Sequence, residues 1–262
     1  MNDTPSEFNM PHITDVAWCP GCGDHMLHKA IHSALHELHI RPEPLVIASG
    51  MAQAIKLSNR KLVVIVESGN GDMLSEGGNH FLNAIYRNAD VTMIVHNTMV
   101  YDLTNTQASH TSQRGMKSPG ELNGFKLESF NPLEVALALK APFIARGLAG
   151  DIEQTTMMIK EAIAFKGFSV VDVCQPCVVF NKLNPCQWFK KNIHYLPKSH
   201  DTTDHNAAFR LATGSYKLPL GVFFRHEGRK PYDDPMSIDS NPLFHQQQSN
   251  EKNFQRMIET SR

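Results

Sequence analysis

The sequence of 262 residues lacks both an excess of charge of either sign and any long apolar run. It has 25 Lys and Arg against 26 Asp and Glu, so no basic face argues for a nucleic-acid partner. No stretch approaches the ~20 consecutive apolar residues that cross a bilayer. The first ten residues lack the basic-then-apolar order of a secretory signal. We therefore expect a cytoplasmic protein that has neither a nucleic acid nor a membrane as its partner.

Cysteine is scarce, and its count of five is odd. In a chain without an export signal this argues against a disulfide framework and favours metal binding or catalysis. Cys19 and Cys22 flank a Pro-Gly turn at the start of a helix, where the helix dipole favours anionic thiolates. This spacing suits a pair of cluster ligands, a redox dithiol or a chance pair. The distant Cys177 favours a [4Fe–4S] cluster, because such clusters draw thiolates from separate segments.

Apolar periodicity predicts a regular alternation of helices and strands. A first helix starts at Asp24, which stands where it can cap the first turn. Continuous β-branched runs, typical of strands buried on both faces, occupy 45–49, 62–67, 91–96, 143–146 and 169–173. Helical segments lie between them at 51–58, 77–88, 132–140 and 152–166. This alternation predicts an α/β fold with a doubly wound, mostly parallel sheet.

Two stretches fall outside the alternation. Residues 97–130 are rich in Thr, Ser, Asn, Gln and Gly, and so long a loop inside a compact domain is usually functional. The end of the chain is polar and contains several prolines. We therefore expect one domain over residues 1–227 and a polar C-terminal tail over 228–262.

A glycine-rich turn follows the strand at 62–67, in the run SGNGDMLSEGGNH. Glycines between a strand and a helix let backbone N–H groups approach a phosphate closely. The next strand ends in the polar run NTMVYDL, which lies beside the glycine turn in a parallel sheet. An ordinary βα turn also needs glycines, but the pairing of the two loops favours a site for a diphosphate and its cation.

Three blocks of the sequence resemble one known family. They are WCPGCGDHMLHKAI, the run from GNGDMLSEGGNH to YDLTNTQAS, and GFSVVDVCQPCVVFNKLNPCQWFK. In this order they resemble the β subunits of 2-oxoacid:ferredoxin oxidoreductases, especially the 2-oxoglutarate type. The similarity covers roughly residues 10–232. It implies a thiamine-diphosphate-binding fold with Mg²⁺ and a [4Fe–4S] cluster.

The resemblance assigns roles to residues at three places. The Mg²⁺ ligands would be the side chains of Asn70 and Thr98 and the carbonyl of Val100. The diphosphate would be lined by Gly69, Gly71 and Asp72, with Asp102 and Leu103 following at the same rim. The cluster would be held by Cys19, Cys22 and Cys177.

The activity that the resemblance implies is the oxidative decarboxylation of a 2-oxoacid, with 2-oxoglutarate preferred, to an acyl-coenzyme A. Electrons would pass through the cluster to ferredoxin. The family carries the glutamate that activates thiamine diphosphate on its α subunit, so this chain would be active only with that partner. The alternative is a non-catalytic paralogue that keeps the fold and the α-subunit interface.

The sequence departs from the family at three chemical positions. Between residues 50 and 52 it lacks a segment of some two dozen residues that brings the family's fourth cluster cysteine and a histidine. Asn70 stands where the family has aspartate, which removes one negative charge from the Mg²⁺ site and should lower its affinity. Asn105 replaces a Lys or Gly, which would leave the substrate carboxylate without a cation.

Overall fold

The structure is a computed structural model that describes residues 18–42, 45–48, 52–102, 104, 107–118, 121–214 and 217–232. Leu103, Asn105 and the junction at residues 49–51 lie outside the described residues, as does the predicted tail from residue 233 onward. Residues 228–232, the first part of the predicted tail, contact the domain. The backbone N–H of Tyr232 donates to the carbonyl of Arg87, and Arg229 donates to the carbonyl of Lys140.

The described chain contains a sheet of seven strands in the order β1-β2-β3-β5-β4-β7-β6. The strands are β1 Leu45–Ala48, β2 Val63–Gly69, β3 Thr92–Asn97, β4 Phe143–Leu148, β5 Ser169–Cys174, β6 Ile193–Tyr195 and β7 Leu218–Arg225. Every neighbouring pair is parallel except β4 and β7, which are antiparallel. The predicted doubly wound, mostly parallel α/β sheet is therefore confirmed.

Helices cover both faces of the sheet. They are α1 Asp24–Glu37, α2 Ala52–Ser58, α3 Gly78–Arg87, α4 Pro132–Ala138, α5 Ile152–Ala164, α6 Cys186–Asn192 and α7 His205–Thr213. Helices α1 and α5 pack on one face, and α3, α4 and α7 contribute to the apolar core on the other. In β3, Met93 and Val95 enter one core while Ile94 enters the other. The chain thus buries strands on two sides, as their continuous apolar runs require.

The order of the strands places the long polar segment above the edge of the sheet. β3 pairs with β5 rather than with β4, which follows it in the chain. The connection from β3 to α4 therefore leaves the carboxyl end of a central strand, and its described residues form no helix or strand beyond a single bridge between Tyr101 and Gln107. In open α/β sheets this edge is where ligands bind.

Candidate functional site

The glycine turn begins at the end of β2. Gly69 is the last residue of the strand, Asn70 follows, and Gly71 precedes a π-helical turn over Asp72–Glu76. A Cβ atom on Gly71 would lie 2.1 Å from a ring carbon of Tyr101, so position 71 has no room for a side chain. The sequence predicted that these glycines lie at the site, but it did not indicate that Tyr101 packs against Gly71.

The π-helical turn replaces the expected start of an α-helix. Its wide loop is closed by the N–H of Gly77, which donates to the carbonyl of Asp72 over 2.7 Å. Asp72 itself is exposed and accepts a hydrogen bond from Ser68 Oγ at 3.2 Å. Single π-turns of this kind are frequent at functional sites. Because the π-helical turn extends to Glu76, the helix predicted at 77–88 begins at Gly78.

Three oxygens meet beside this turn. Thr98 Oγ1 lies 3.2 Å from Asn70 Oδ1 and 3.0 Å from the carbonyl oxygen of Val100. All three residues are buried. A threonine hydroxyl has one hydrogen and cannot donate it to both acceptors at once, so the group has more lone pairs than protons. An oxygen-rich cluster of this kind suits a hard cation such as Mg²⁺.

The register of the sheet explains why these oxygens meet. Gly69 is paired with His96 on the neighbouring parallel strand. The residues that follow the two strands therefore leave the sheet side by side, and Asn70 comes to face Thr98. The three residues that the resemblance assigned to Mg²⁺ are thus brought together by the fold.

The other end of the Asn70 side chain is held by the polar segment. Its Nδ2 donates to Ser109 Oγ at 2.6 Å and to Thr111 Oγ1 at 2.8 Å. Both hydroxyl residues are buried. Sequence reasoning expected this segment to be functional but did not single out either residue. Their spacing, two residues apart in a run without periodicity, gave no signal.

An acidic cavity of about 350 Å³ opens beside the turn. Its polar lining includes Ser68, Asp72, Glu76 and His80, while the described part of the lining offers no Lys or Arg. Such a wall attracts cations and repels a bare diphosphate. A diphosphate that binds here would need its charge neutralised by a divalent ion.

The two rim residues follow Tyr101 in the polar segment. Asp102 is half-buried and comes shortly after Thr98 and Val100 in the chain. Leu103 lies outside the described residues. The role of both at the rim of the site stays a prediction.

The cysteine loop differs from expectation in its electrostatics. Cys22 Sγ donates a hydrogen bond to Asp24 Oδ2 at 3.1 Å. Burial, opposed by the backbone N–H of Asp24 but supported by the hydrogen bond to the Asp24 carboxylate and the charges of Asp24 and Cys177, raises the pKa of Cys22 to about 12. The expectation that the helix dipole favours an anionic thiolate is therefore wrong for Cys22, because burial and a neighbouring carboxylate outweigh the dipole.

Asp24 does not cap α1, as its position had suggested. The capping position is Gly23, which offers no side chain, and Asp24 is the first helical residue. Its carboxylate turns instead to Cys22, to Gln175 Nε2 at 2.9 Å and to His96 Nδ1 at 2.7 Å. The cysteine loop is thereby tied to the carboxyl ends of β3 and β5.

Two pairs among the three predicted cluster cysteines lie near one another, Cys19 with Cys22 and Cys22 with Cys177. A backbone hydrogen bond of 3.0 Å from Cys22 to Cys19 closes their turn. Cys177 is buried and close enough to Cys22 to influence its pKa. In the described part of the chain, no three His, Cys, Asp or Glu side chains are grouped to hold one metal ion. Each cysteine of a cluster binds a different iron, so cluster ligands stand further apart than the ligands of a single ion.

His96 joins the cysteine loop to the strand that carries the glycine turn. Its Nδ1 contacts Asp24, and its Nε2 lies 2.9 Å from Glu67 Oε1 on β2. Burial alone would lower the pKa of His96, but the hydrogen bonds to the two carboxylates outweigh burial and raise it to about 9. The ring is therefore an imidazolium at neutral pH and donates to both acids.

Known protein families and relatives match this chain over most of its length. Residues 44–173 match the thiamine pyrophosphate enzyme C-terminal TPP binding domain, and residues 177–238 match the C-terminal family of pyruvate ferredoxin oxidoreductase β subunits. The chain is 31% identical to a 2-oxoacid:ferredoxin oxidoreductase β subunit of Sulfolobus, over 85% of this chain and 86% of that protein. This chain belongs to the 2-oxoacid:ferredoxin oxidoreductase β-subunit family.

Two further relatives lie on the 2-oxoglutarate side of this β-subunit family. The 2-oxoglutarate oxidoreductase subunit KorB of Mycobacterium tuberculosis is 33% identical, over 64% of this chain and 52% of that protein. The solved 2-oxoglutarate:ferredoxin oxidoreductase of Magnetococcus marinus superposes with a TM-score of 0.86 at 25% identity, covering 95% of this chain and 94% of that one. The fold and the family that the sequence motifs indicated are both confirmed. Within the described residues no helix is long and apolar enough to span a bilayer.

Proposed function

We propose that this chain is the thiamine-diphosphate-binding β subunit of a cytoplasmic oxidoreductase that converts 2-oxoglutarate and coenzyme A to an acyl-coenzyme A. The observation that carries the proposal is the meeting of Asn70 Oδ1, Thr98 Oγ1 and the Val100 carbonyl at the ends of two parallel strands. Such a group of buried oxygens suits the Mg²⁺ that bridges a diphosphate.

The residues around these oxygens fit the cofactor. Asn70, Thr98 and Val100 would coordinate Mg²⁺, and the backbone at Gly69 and Gly71 would approach the diphosphate. Asp72 would lie beside the diphosphate, with Asp102 and Leu103 at the rim. Bound thiamine diphosphate would supply the carbanion chemistry of decarboxylation. The buried protein groups would hold its diphosphate and exclude water from the cation.

The electron path is the second part of the proposal. Cys19, Cys22 and Cys177 would hold a [4Fe–4S] cluster that passes electrons to ferredoxin. In the structure Cys22 donates its thiol hydrogen to Asp24. A cluster-bound thiolate has no proton to donate, so the Asp24 carboxylate would have to turn towards its other partners, His96 and Gln175.

The partners are proposed from the relatives. The β-subunit names of the relatives imply an α subunit, and the Magnetococcus structure holds 2-oxoglutarate, coenzyme A and succinyl-coenzyme A. We propose that this chain works on the same substrates, and only when paired with its own α subunit.

The test is anaerobic co-expression with the α subunit, followed by iron and thiamine analysis of the purified complex. We expect about four irons and one thiamine diphosphate for each β chain. We also expect ferredoxin reduction that needs both coenzyme A and 2-oxoglutarate, and that is slower with pyruvate. A complex that binds no thiamine diphosphate in the presence of Mg²⁺ would contradict the proposal.

A second candidate function is a non-catalytic paralogue that keeps the fold and the α-subunit interface. The Asp24 carboxylate, 3.1 Å from Cys22 Sγ, favours it, because a negative charge beside the sulfur opposes an anionic cluster ligand. The paralogue predicts a stable complex with the α subunit that contains neither iron nor thiamine. A complex with thiamine but without iron would indicate decarboxylation without electron transfer.

A further inference from the structure

An asparagine at position 70 can serve as a metal ligand only if its amide is turned the right way. An amide has an oxygen at one end and an NH₂ group at the other, and only the oxygen can bind a cation. We propose that a relay of buried hydrogen bonds, from the Arg146–Asp172 ion pair through Asn97 and Thr111, points the amide oxygen of Asn70 at the cation. This inference rests on the proposed function of the site.

The relay starts at Asp172 on β5, whose side chain is fully buried. Its Oδ2 accepts from Arg146 Nε at 2.8 Å, and its Oδ1 accepts from Asn97 Nδ2 at 2.9 Å. A carboxylate paired with an arginine has no proton and can only accept. Asn97 must therefore turn its NH₂ group towards Asp172 and its Oδ1 the other way.

The next step passes through Thr111. Asn97 Oδ1 accepts from Thr111 Oγ1 at 2.9 Å. This donation uses the only hydrogen of the hydroxyl, so towards Asn70 the Thr111 oxygen can only accept. The Nδ2 of Asn70 fills that role at 2.8 Å and also donates to Ser109 Oγ at 2.6 Å. Its Oδ1 is thereby left facing Thr98 Oγ1, which also contacts the Val100 carbonyl.

The opposite orientation would abolish the cation site. A flipped Asn70 would place its NH₂ group beside Thr98 Oγ1, which could accept from it while donating to the Val100 carbonyl. It would also set its Oδ1 against Thr111 Oγ1, whose hydrogen is already committed to Asn97, and would leave the Ser109 hydroxyl as its one donor among these two hydroxyl residues. An unmade hydrogen bond between buried groups costs enough to favour one orientation by about tenfold or more. The relay therefore acts as a positioning device for the metal ligand.

An aspartate at position 70 would not need this device, because its two oxygens are equivalent. This difference supplies the test, with Mn²⁺ as a paramagnetic probe of the cation site. We would measure Mn²⁺ binding by electron paramagnetic resonance in the complex with the α subunit and thiamine diphosphate. Thr111→Val keeps the shape of the side chain and removes the hydroxyl. We expect it to weaken Mn²⁺ binding by about tenfold or more, as the loss of groups that orient a metal ligand does.

The matched control is Thr155→Val, which removes another fully buried hydroxyl that donates to the carbonyl of Leu148. It should leave Mn²⁺ binding unchanged. The decisive comparison repeats Thr111→Val in an Asn70→Asp background, where we expect an effect of less than about threefold. A loss of equal size in both backgrounds would show that Thr111 is merely structural and would overturn the inference.

Asp172→Asn provides a second variant, because an amide there no longer fixes the direction of the relay. It should weaken Mn²⁺ binding in the Asn70 protein and be rescued by Asn70→Asp. If the wild-type complex binds no Mn²⁺ with thiamine diphosphate, the proposed function fails together with the relay. If wild type and Thr111→Val bind Mn²⁺ equally, the relay alone is wrong.

Discussion

A neutral amide stands at the centre of the proposed cation site, at a position where the family resemblance implies a carboxylate. Asn70, Thr98 and Val100 offer three oxygens and no formal charge. Because ligand charge sets the affinity of a site for hard divalent ions, this set should bind Mg²⁺ weakly. Tight binding of Mg²⁺ to these neutral ligands therefore requires the negative charge of the diphosphate.

Asn70→Asp should raise the affinity for Mg²⁺ in the presence of thiamine diphosphate. The added charge lies directly at the cation, and we expect an increase of about tenfold, or about 1.4 kcal/mol. Calorimetric titration of Mg²⁺ into the complex with the α subunit measures it. Asn79→Asp adds the same charge on an exposed position of α3 and serves as the control. Unchanged or weaker Mg²⁺ binding in Asn70→Asp would show that residue 70 does not contact the ion.

Gly71→Ala tests the close approach of the glycine turn to Tyr101. The new Cβ would stand 2.1 Å from the ring and displace it, which breaks the hydrogen bond from Tyr101 to Glu76. We expect a loss of about 1–3 kcal/mol in the free energy of unfolding. Urea denaturation measures it. Gly78→Ala is the matched control, because a Cβ there meets nothing within 4 Å and alanine favours the helix.

At the scale of elements, His96 connects the first helix to two central strands. Burial would raise the pKa of Asp24, but hydrogen bonds from His96, Cys22 and Gln175 outweigh it and lower the pKa to about 2. The pKa of His96 has the opposite shift, to about 9. The protonated His96 ring thus lies between the carboxyl groups of Glu67 and Asp24 at neutral pH. It fixes the cysteine loop against the strands that carry the cation site.

This network predicts how stability depends on pH. A raised pKa means that the contribution of His96 is complete below pH 6.5 and is lost as the pH rises through about 9. The shift corresponds to about 3 kcal/mol, as an upper bound for a group that is partly screened. Urea denaturation of wild type and His96→Gln should show a stability gap at about pH 7 that narrows towards about pH 10. A gap that is constant over this range would mean that His96 is uncharged in the fold.

The sequence allowed the first five strands to be predicted to within two residues at each end, because their buried apolar runs are continuous. It did not indicate β7, whose run contains Pro219 and the positive-φ Gly221 and which is ordered by pairing with β4. The π-helical turn was also missed, because its bonding pattern has no signal in the sequence. Tertiary pairing decides the first of these features.

The same limit applies to the site. Strand ends and glycines predicted that the loops after 62–67 and 91–96 would lie side by side, since parallel strands end at one edge of the sheet. The family resemblance then singled out Asn70 and Thr98 within these loops. Ser109 and Thr111, which hold the amide, lie 39 and 41 residues from Asn70 in an irregular segment. No local rule connects residues so far apart. The partners that orient a ligand are therefore harder to predict than the ligand itself.

At the scale of the whole molecule, the proposed cation site lies at one edge of the sheet. The cation site joins β2, β3 and the polar segment, and its relay reaches β4 and β5. A ligand that binds there contacts or orients residues from most of the parallel sheet. Binding should consequently stabilise the whole domain rather than one loop.

Mg²⁺ and thiamine diphosphate should therefore stabilise the complex with the α subunit only when both are present. At about 100 times the dissociation constant, a ligand adds about 2.7 kcal/mol to the free energy of unfolding. For a chain of this size that is a rise of about 5–10 °C in the midpoint of thermal unfolding. Mg²⁺ alone should give no rise, because three neutral oxygens do not hold it. Thiamine monophosphate with Mg²⁺ is the matched control, since it lacks the second phosphate that would complete the shell of the ion. An equal rise with thiamine monophosphate would mean that the cofactor is held elsewhere than at Asn70, Thr98 and Val100.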